Sequence, residues 1–286
     1  MWHTFLIDQF HDVLPGTCIG LTYVDTRKNF EDLSAQSETL LREALESLVE
    51  THLSGYSIAF FAQIRPHFDD LNLQSEAQAA LFLNTLTCDR FERLRVRYAG
   101  QEKCLEGQIM VGKLGGMALV DRKHLEHSMS VAKLEFKQEG DLFKVENRSY
   151  RVVINEDGSI HSWKDKRTKN FERELCRPGD RLNKLSIHQD VPFFWDAWDV
   201  MLHSFETVTE LKAHSASVIE VTESRVKILF EYNLHSCKSI IKQTVAFHSD
   251  TARVDFITEV DWHEEKKLLK AYFPVDIRTD YATFDV

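Results

Sequence analysis

Asp8-Gln9-Phe10-His11-Asp12, followed by Pro15-Gly16-Thr17, is the densest grouping of chemistry-bearing side chains near the start of this chain. A neutral imidazole is a good ligand for a divalent cation, and a carboxylate beside it is free to accept hydrogen bonds from a ligand. Two adjacent side chains do not make a closed metal site. The same residues also describe an ordinary helix end in which His11 helps to cap the last carbonyls, and composition alone favours that plainer reading.

A second grouping runs from Gln189 to Asp199 and holds Asp190, Phe193, Phe194, Trp195, Asp196, Trp198 and Asp199. Indole faces pack against the C–H faces of sugar rings, and carboxylates accept hydrogen bonds from paired hydroxyls. Sugar contact and a loop whose tryptophans plug an apolar core are equally consistent with this pattern. A third grouping, Asp261-Trp262-His263-Glu264-Glu265, holds groups able to act as acid or base, although strand ends commonly carry such charges. His124 and His127 have a spacing that zinc uses but lack a third ligand in register, which points to a solvated surface. Gly115-Gly116 is not a phosphate-binding fingerprint, and no G-x-S-x-G elbow occurs.

The elements that must position these groups follow from periodicity. Trp2, Phe5, Leu6, Gln9 and Phe10 share one face of a helix expected to stop near His11. Thr17 reads as the N-cap of a second helix through Leu21, Val24 and Lys28. Leu40, Leu41, Ala44, Leu45, Leu48 and Val49 repeat at helical spacing up to Gly55. The period then changes to two. Tyr150, Val152 and Ile154 alternate before the turn at Asn155 to Gly158, and Ile160 to Lys164 reads as the returning strand. Val226 to Tyr232, Ile241 to Phe247, and Val254 to Trp262 alternate likewise. The expected fold is α+β, with a short helical bundle segment over 1–55, a linker or crossing segment over 56–80, and an antiparallel β-sandwich region over 81–286.

Composition sets the outer limits. The 286 residues hold 43% hydrophobic and 28% charged residues, which is globular and long enough for one or two cores. The formal charge of -10 disfavours nucleic acid as a partner. No apolar run reaches the roughly 18 residues of a membrane helix, and Asp8, His11 and Asp12 interrupt the stretch where an export signal would lie. Five scattered cysteines without a CxxC pair fit a reducing compartment. The triplet Asn147-Arg148-Ser149 argues weakly the other way, and such triplets arise often by chance. The chain is expected to be cytoplasmic.

The segments Trp2 to Leu6, Gln9 to Thr17, Phe82-Leu83-Asn84-Thr85-Leu86, Asp190-Val191-Pro192, Trp195 to Asp199, and Asp261 to Glu264 with Leu269-Lys270 and Phe273-Pro274 together resemble α-mannosidases of glycoside hydrolase family 38, most of all the cytosolic type. They occur in the family's order and span nearly all of the chain. The resemblance implies a C-terminal fragment, with a galactose-mutarotase-like supersandwich for the β region and the catalytic barrel lying outside this chain. It implies a retaining exo-hydrolase acting on α-mannoside oligosaccharides, with a zinc cofactor or cobalt in its place, and a nucleophile and acid supplied by the barrel. By that likeness His11 is a metal ligand and Asp12 binds mannose hydroxyls, while Asp196 and Asp199 are further substrate-contact candidates. The chain alone is then expected to be inactive. The alternative is a noncatalytic carbohydrate-binding or assembly module derived from the family. Part of the helical apolar face should be exposed, favouring association into a homo-oligomer.

Overall fold

A computed structural model describes residues 1–52, six strands between 58 and 121, and residues 133–283 apart from 169–170, 196–197, 235–237 and 250. The six strands and residues 48–52 are described by their backbone alone. The chain divides into two compact units, Met1–Ser130 and Val131–Val286. His124 and His127 lie outside the described residues.

The first unit opens with α1 (Trp2–Ile7) and α2 (Gly20–His52). Helix α1 ends earlier than its apolar repeat suggests. The N–H groups of Gln9 and Phe10 donate to carbonyls three residues back, at 3.2 and 3.0 Å, which tightens the chain out of the α-helix. Asp8, buried at this point, accepts a 3.3 Å hydrogen bond from Asn29 of α2. The two later helical repeats prove to be one helix of 33 residues, roughly 50 Å long. No Gly or Pro occurs from Leu21 to His52, so nothing interrupts it, and Leu33 and Leu45 are its buried contacts. Thr17 is not its first-turn neighbour: α2 begins three residues later, and the Thr17 hydroxyl turns back to Asp12. Trp2, Leu6, Phe10, Leu14, Leu21 and Val24 are exposed, so this helical segment carries a large apolar surface. No helix among the described residues is long and apolar enough to cross a membrane.

Strands β1 (Ile58–Ala59), β2 (Leu71–Leu73), β3 (Ala79–Asn84), β4 (Arg90–Tyr98), β5 (Leu105–Val111) and β6 (Gly116–Asp121) form two three-stranded sheets, ordered β1-β3-β6 and β2-β4-β5. The pairs β3–β6 and β4–β5 are antiparallel.

The second unit is a sandwich-like stack of antiparallel sheets with no barrel closure. Strands β7 (Glu135–Glu139), β8 (Leu142–Glu146), β9 (Tyr150–Asn155), β10 (Ile160–Asp165) and β11 (Arg173–Glu174) make a five-stranded meander. Strands β12 (Lys184–Gln189), β13 (Thr209–Leu211), β14 (Ser215–Val221), β15 (Arg225–Asn233), β16 (Ile240–His248), β17 (Val254–Asp261) and β18 (Lys267–Tyr272) complete it. Of these, β14 to β17 form a four-stranded sheet in sequence order, and β12 pairs with both β13 and β18. Alternation decides which face is inside. Phe143, Val145, Tyr150, Val152 and Ile154 from one sheet, and Val226, Ile228, Phe230, Tyr232, Ile241, Val245 and Phe247 from the other, enter one apolar core. Phe143 meets Phe230 edge to face, with ring centroids 6.0 Å apart.

The β9–β10 turn shows how tightly this core is closed. Gly158 has φ +86°, and a Cβ there would lie 2.0 Å from the Tyr232 hydroxyl. That hydroxyl is buried with no hydrogen-bond partner among the described residues, and burial, with Asp157 nearby, pushes its pKa upward. On the outer face, Arg151 and Lys166 both donate to Glu146, the Arg151 Nε bond being 2.6 Å, and hold its carboxyl down at about 2.

Gly158→Ala should therefore cost about 2–4 kcal/mol from combined strain and overlap. Tyr232→Phe should be neutral or stabilising, since it removes an unsatisfied buried hydroxyl. Denaturant midpoints of the two variants check this; equal losses would show that the hydroxyl is held by a partner. Glu146 is depressed from an ordinary 4.5, so its contribution is present above that pH and is lost as pH falls toward 2. Glu146→Gln should flatten the acid limb of the stability profile, measured by denaturation between pH 2 and 6.

Candidate functional site

His11 and Asp12 sit in the turn between α1 and α2. The Asp12 carbonyl accepts from the Thr17 N–H at 3.0 Å and from its hydroxyl at 3.4 Å, and the hydroxyl also reaches Asp12 Oδ1 at 3.4 Å. Gly16, at φ +80°, lets the chain reverse beside the Tyr23 hydroxyl. His11 lies on Phe10, ring centroids 4.2 Å apart, with its Nε2 3.4 Å from Asp12 Oδ2. The imidazole is 76% exposed and Asp12 half-buried. An exposed ring with a carboxylate beside it fits one arm of a cation site. It does not fit a whole one, for among the described residues no group of three or more potential ligands comes together. Asp8 adds a feature that residue spacing alone does not reveal: its Oδ2 is buried without a hydrogen-bond partner among the described residues.

The Gln189 to Asp199 segment is a projecting loop between β12 and a 3₁₀ turn at Leu202–Glu206. Its tryptophans do not plug the core. Trp195 is 74% exposed and Trp198 65%, with Phe193 and Phe194 exposed beside them. Trp195 is in the left-handed region at φ 59°, and its carbonyl accepts from the N–H groups of Trp198 and Asp199 at 2.7 and 3.0 Å. A bulky residue in that region is strained and persists only where its surroundings fix it. Asp199 is half-buried, and Asp196 lies outside the described residues. His11 and the loop belong to different units, and each stands by itself.

The base of the loop is anchored by His188, which no sequence pattern marked. It is buried at the end of β12, with Nδ1 2.9 Å from the Ser204 carbonyl. That carbonyl only accepts, so Nδ1 carries a proton, and in the neutral ring Nε2 is the acceptor. The Ser186 hydroxyl at 3.0 Å and the Tyr272 hydroxyl at 3.2 Å supply its donors. Tyr272 also stacks on the ring, and Phe205 meets it edge-on. Lys270 Nζ stands 4.4 Å above the Phe205 ring, a cation–π contact that closes the same corner. Two further backbone bonds, Gln189 N–H to Thr207 Oγ1 and Asp190 N–H to the Lys266 carbonyl, pin the loop where it leaves the sheet.

The remaining candidates among the described residues make contacts within the fold. In the third grouping, the Ser239 hydroxyl donates to Glu264 at 3.0 Å and accepts from the His263 N–H at 2.7 Å, while His263 and Asp261 pair on the surface at 2.9 Å. Asn147 of the glycosylation-type triplet is buried. Its amide donates to the carbonyls of His248 and Thr251 at 2.7 and 2.9 Å, so the nitrogen is already committed inside the fold. Its carbonyl accepts from Ser149 and Tyr150 and shapes the β8–β9 turn. Cys176 is a buried free thiol whose pKa burial pushes up to about 11.

Comparison with known proteins places this geometry. The family description "Glycosyl hydrolases family 38 C-terminal domain" matches residues 145–286. Alpha-mannosidase 2C1 of Homo sapiens is 26% identical over 288 residues, covering 100% of this chain and 25% of that protein. Alpha-mannosidase G of Dictyostelium discoideum is 24% identical, with 28% of its length covered. This chain thus spans about a quarter of the length of the curated relatives it matches. An alpha-mannosidase structure from Enterococcus faecalis V583 aligns with 98% of this chain and 39% of that one, at a TM-score of 0.63 and 13% identity, which is a likeness of fold.

His188→Ala should leave the Ser186 and Tyr272 hydroxyls without their shared acceptor and take from the Ser204 carbonyl one of its donors, the Thr207 hydroxyl remaining, costing about 2–3 kcal/mol and loosening the loop first. Limited proteolysis should move to the 190–207 segment; unchanged cleavage would mean that other contacts hold the loop.

Proposed function

We propose, for a chain whose residues 145–286 are a glycosyl hydrolase family 38 C-terminal domain homologous to α-mannosidases, that it forms part of a metal-dependent retaining exo-α-mannosidase acting on terminal α-mannosyl residues of oligosaccharides. The observation that carries this reading is the match of its whole length to α-mannosidases, with His11 exposed at a turn fixed by Thr17 and Gly16. His11 offers one imidazole nitrogen to zinc, or to cobalt in its place. When bound, the ion supplies a positive centre on which hydroxyls of the terminal mannose are held. Asp12, adjacent and half-exposed, accepts hydrogen bonds from those hydroxyls, and its own position is set by Thr17. Asp196 and Asp199 are further contacts to the sugar. The nucleophile and the acid are assigned to no residue of this chain, which by itself is inactive.

The setting is the cytoplasm, in keeping with the likeness to the cytosolic type and the free thiols of Cys18 and Cys176. The exposed apolar face of the helical segment suits association with a second copy or with other parts of such an enzyme. A noncatalytic carbohydrate-binding module is the second reading, favoured by the aromatic loop, which belongs to the unit without His11.

Zinc titration followed through the histidine ring protons tests the metal role. His11 should respond first among the 13 histidines, and the leading response should vanish in His11→Ala. A response led by other rings would remove His11 from the site. Incubation with an aryl α-mannoside plus zinc or cobalt should release no product, whereas turnover would place the catalytic carboxylates inside this chain.

A further inference from the structure

We infer that Asp8 is a positioning residue for the cation assigned to His11: its buried carboxylate, tied to α2 by Asn29, is a fixed negative charge behind the His11–Asp12 turn that strengthens cation binding at the exposed imidazole. The inference rests on the reading of His11 as a metal ligand and adds a residue to which that reading gives no role.

Fold stability alone does not account for Asp8. The residue is 3% exposed, and its Oδ1 accepts a hydrogen bond from the Asn29 amide at 3.3 Å, while its Oδ2 has no partner among the described residues. A carboxylate has room for about four such bonds, and one buried with so few is costly to keep. Its place adds to the cost. Asp8 is the C-cap of α1, where unpaired carbonyl oxygens already make the helix end negative and an anion is disfavoured. A buried polar group left in this state calls for a reason other than stability.

The surroundings of His11 supply one. Met1 to Thr26 contain three carboxylates, Asp8, Asp12 and Asp25, and no Lys or Arg. Among the described residues neither Asp8 nor Asp12 pairs with a Lys or Arg, so their charge is left to act on the turn between them. Asp8 and His11 are three residues apart, which bounds the separation of their Cα atoms to about 11 Å. Tight turns shorten and hold that separation: the Phe10 N–H donates to the Ile7 carbonyl at 3.0 Å, and the N–H groups of Val13 and Leu14 donate to the Phe10 carbonyl at 2.9 and 3.0 Å. A buried charge is screened less than an exposed one, and at this range it raises the affinity of a divalent cation by roughly threefold to tenfold. Asp8 does not itself ligate the cation, for it is buried while the His11 ring is 76% exposed.

Zinc titration of the intact chain, followed through the His11 ring protons, tests the inference on Asp8→Asn and Asp8→Leu. Both remove the charge, the first keeping the shape and the second filling the site with an apolar group. Each should weaken zinc binding at His11 by roughly threefold to tenfold at low salt, with the denaturation midpoint unchanged or raised. The difference from the parent chain should vanish at about 1 M salt, where charges are screened beyond roughly 3 Å. Unchanged affinity in the variants, with His11 still leading the response, overturns the role of Asp8 and leaves the mannosidase reading standing. A weakening that persists at high salt shows that Asp8 acts through the shape of the turn and overturns the inference, as does loss of folding in both variants. If His11 fails to lead the response in the parent chain, the metal role itself falls and the inference with it.

Discussion

Burial of one face of β8 to β10 against one face of β15 and β16 is the interaction on which the second unit depends. Every second residue of β8, β9, β15 and β16 is excluded from water, and the aromatic rings of Phe143, Tyr150, Phe230 and Phe247 interlock across the gap. A strand side chain alternates with period two, so this burial also fixes register: a slip by one residue would turn each apolar set toward solvent. The left-handed turn at Gly158 follows from it, because the Tyr232 hydroxyl occupies the space a side chain there would need.

Polar ties then close the ends that the apolar core leaves open. Asn147 spends its carbonyl on the β8–β9 turn and its amide on two carbonyls, His248 at the end of β16 and Thr251 just after it, which joins elements about a hundred residues apart in sequence. His188 does the equivalent at the other sheet, holding the 3₁₀ turn and, through it, the aromatic loop. Such groups are worth little as isolated hydrogen bonds but are expensive to leave unpaired, which makes them effective at fixing position. The consequence is a loop that projects large aromatic side chains into solvent from a rigid base.

The helical segment answers to a different balance. Helix α2 buries only Leu33 and Leu45 among its described side chains, while much of its apolar surface and that of α1 faces outward. The His11–Asp12 turn lies in this segment, and the aromatic loop lies in the other unit. Two separate surfaces therefore carry the chemistry proposed for the chain. One presents the exposed His11 imidazole beside Asp12, and the other presents the exposed rings of Trp195 and Trp198.

Alternation in Tyr150 to Ile154, Val226 to Tyr232 and Ile241 to Phe247 was enough to specify the main hairpins, because a strand with one buried face records that face in every second residue. Order and residue type of the His11–Asp12 and Trp195 to Asp199 segments were enough to point to the family. Helix ends were not readable, since the stop at Ile7 depends on Asp8 meeting Asn29 of another helix, and the length of α2 on the absence of any interruption rather than on a positive signal. Sequence left open whether the loop tryptophans fill the core or face water, because indoles do both; their exposure was decided by which strands the sheet brought together. His188 carried no pattern at all. Its role comes from Ser204, Ser186 and Tyr272 converging from three separate elements, an arrangement that exists only once the chain has folded.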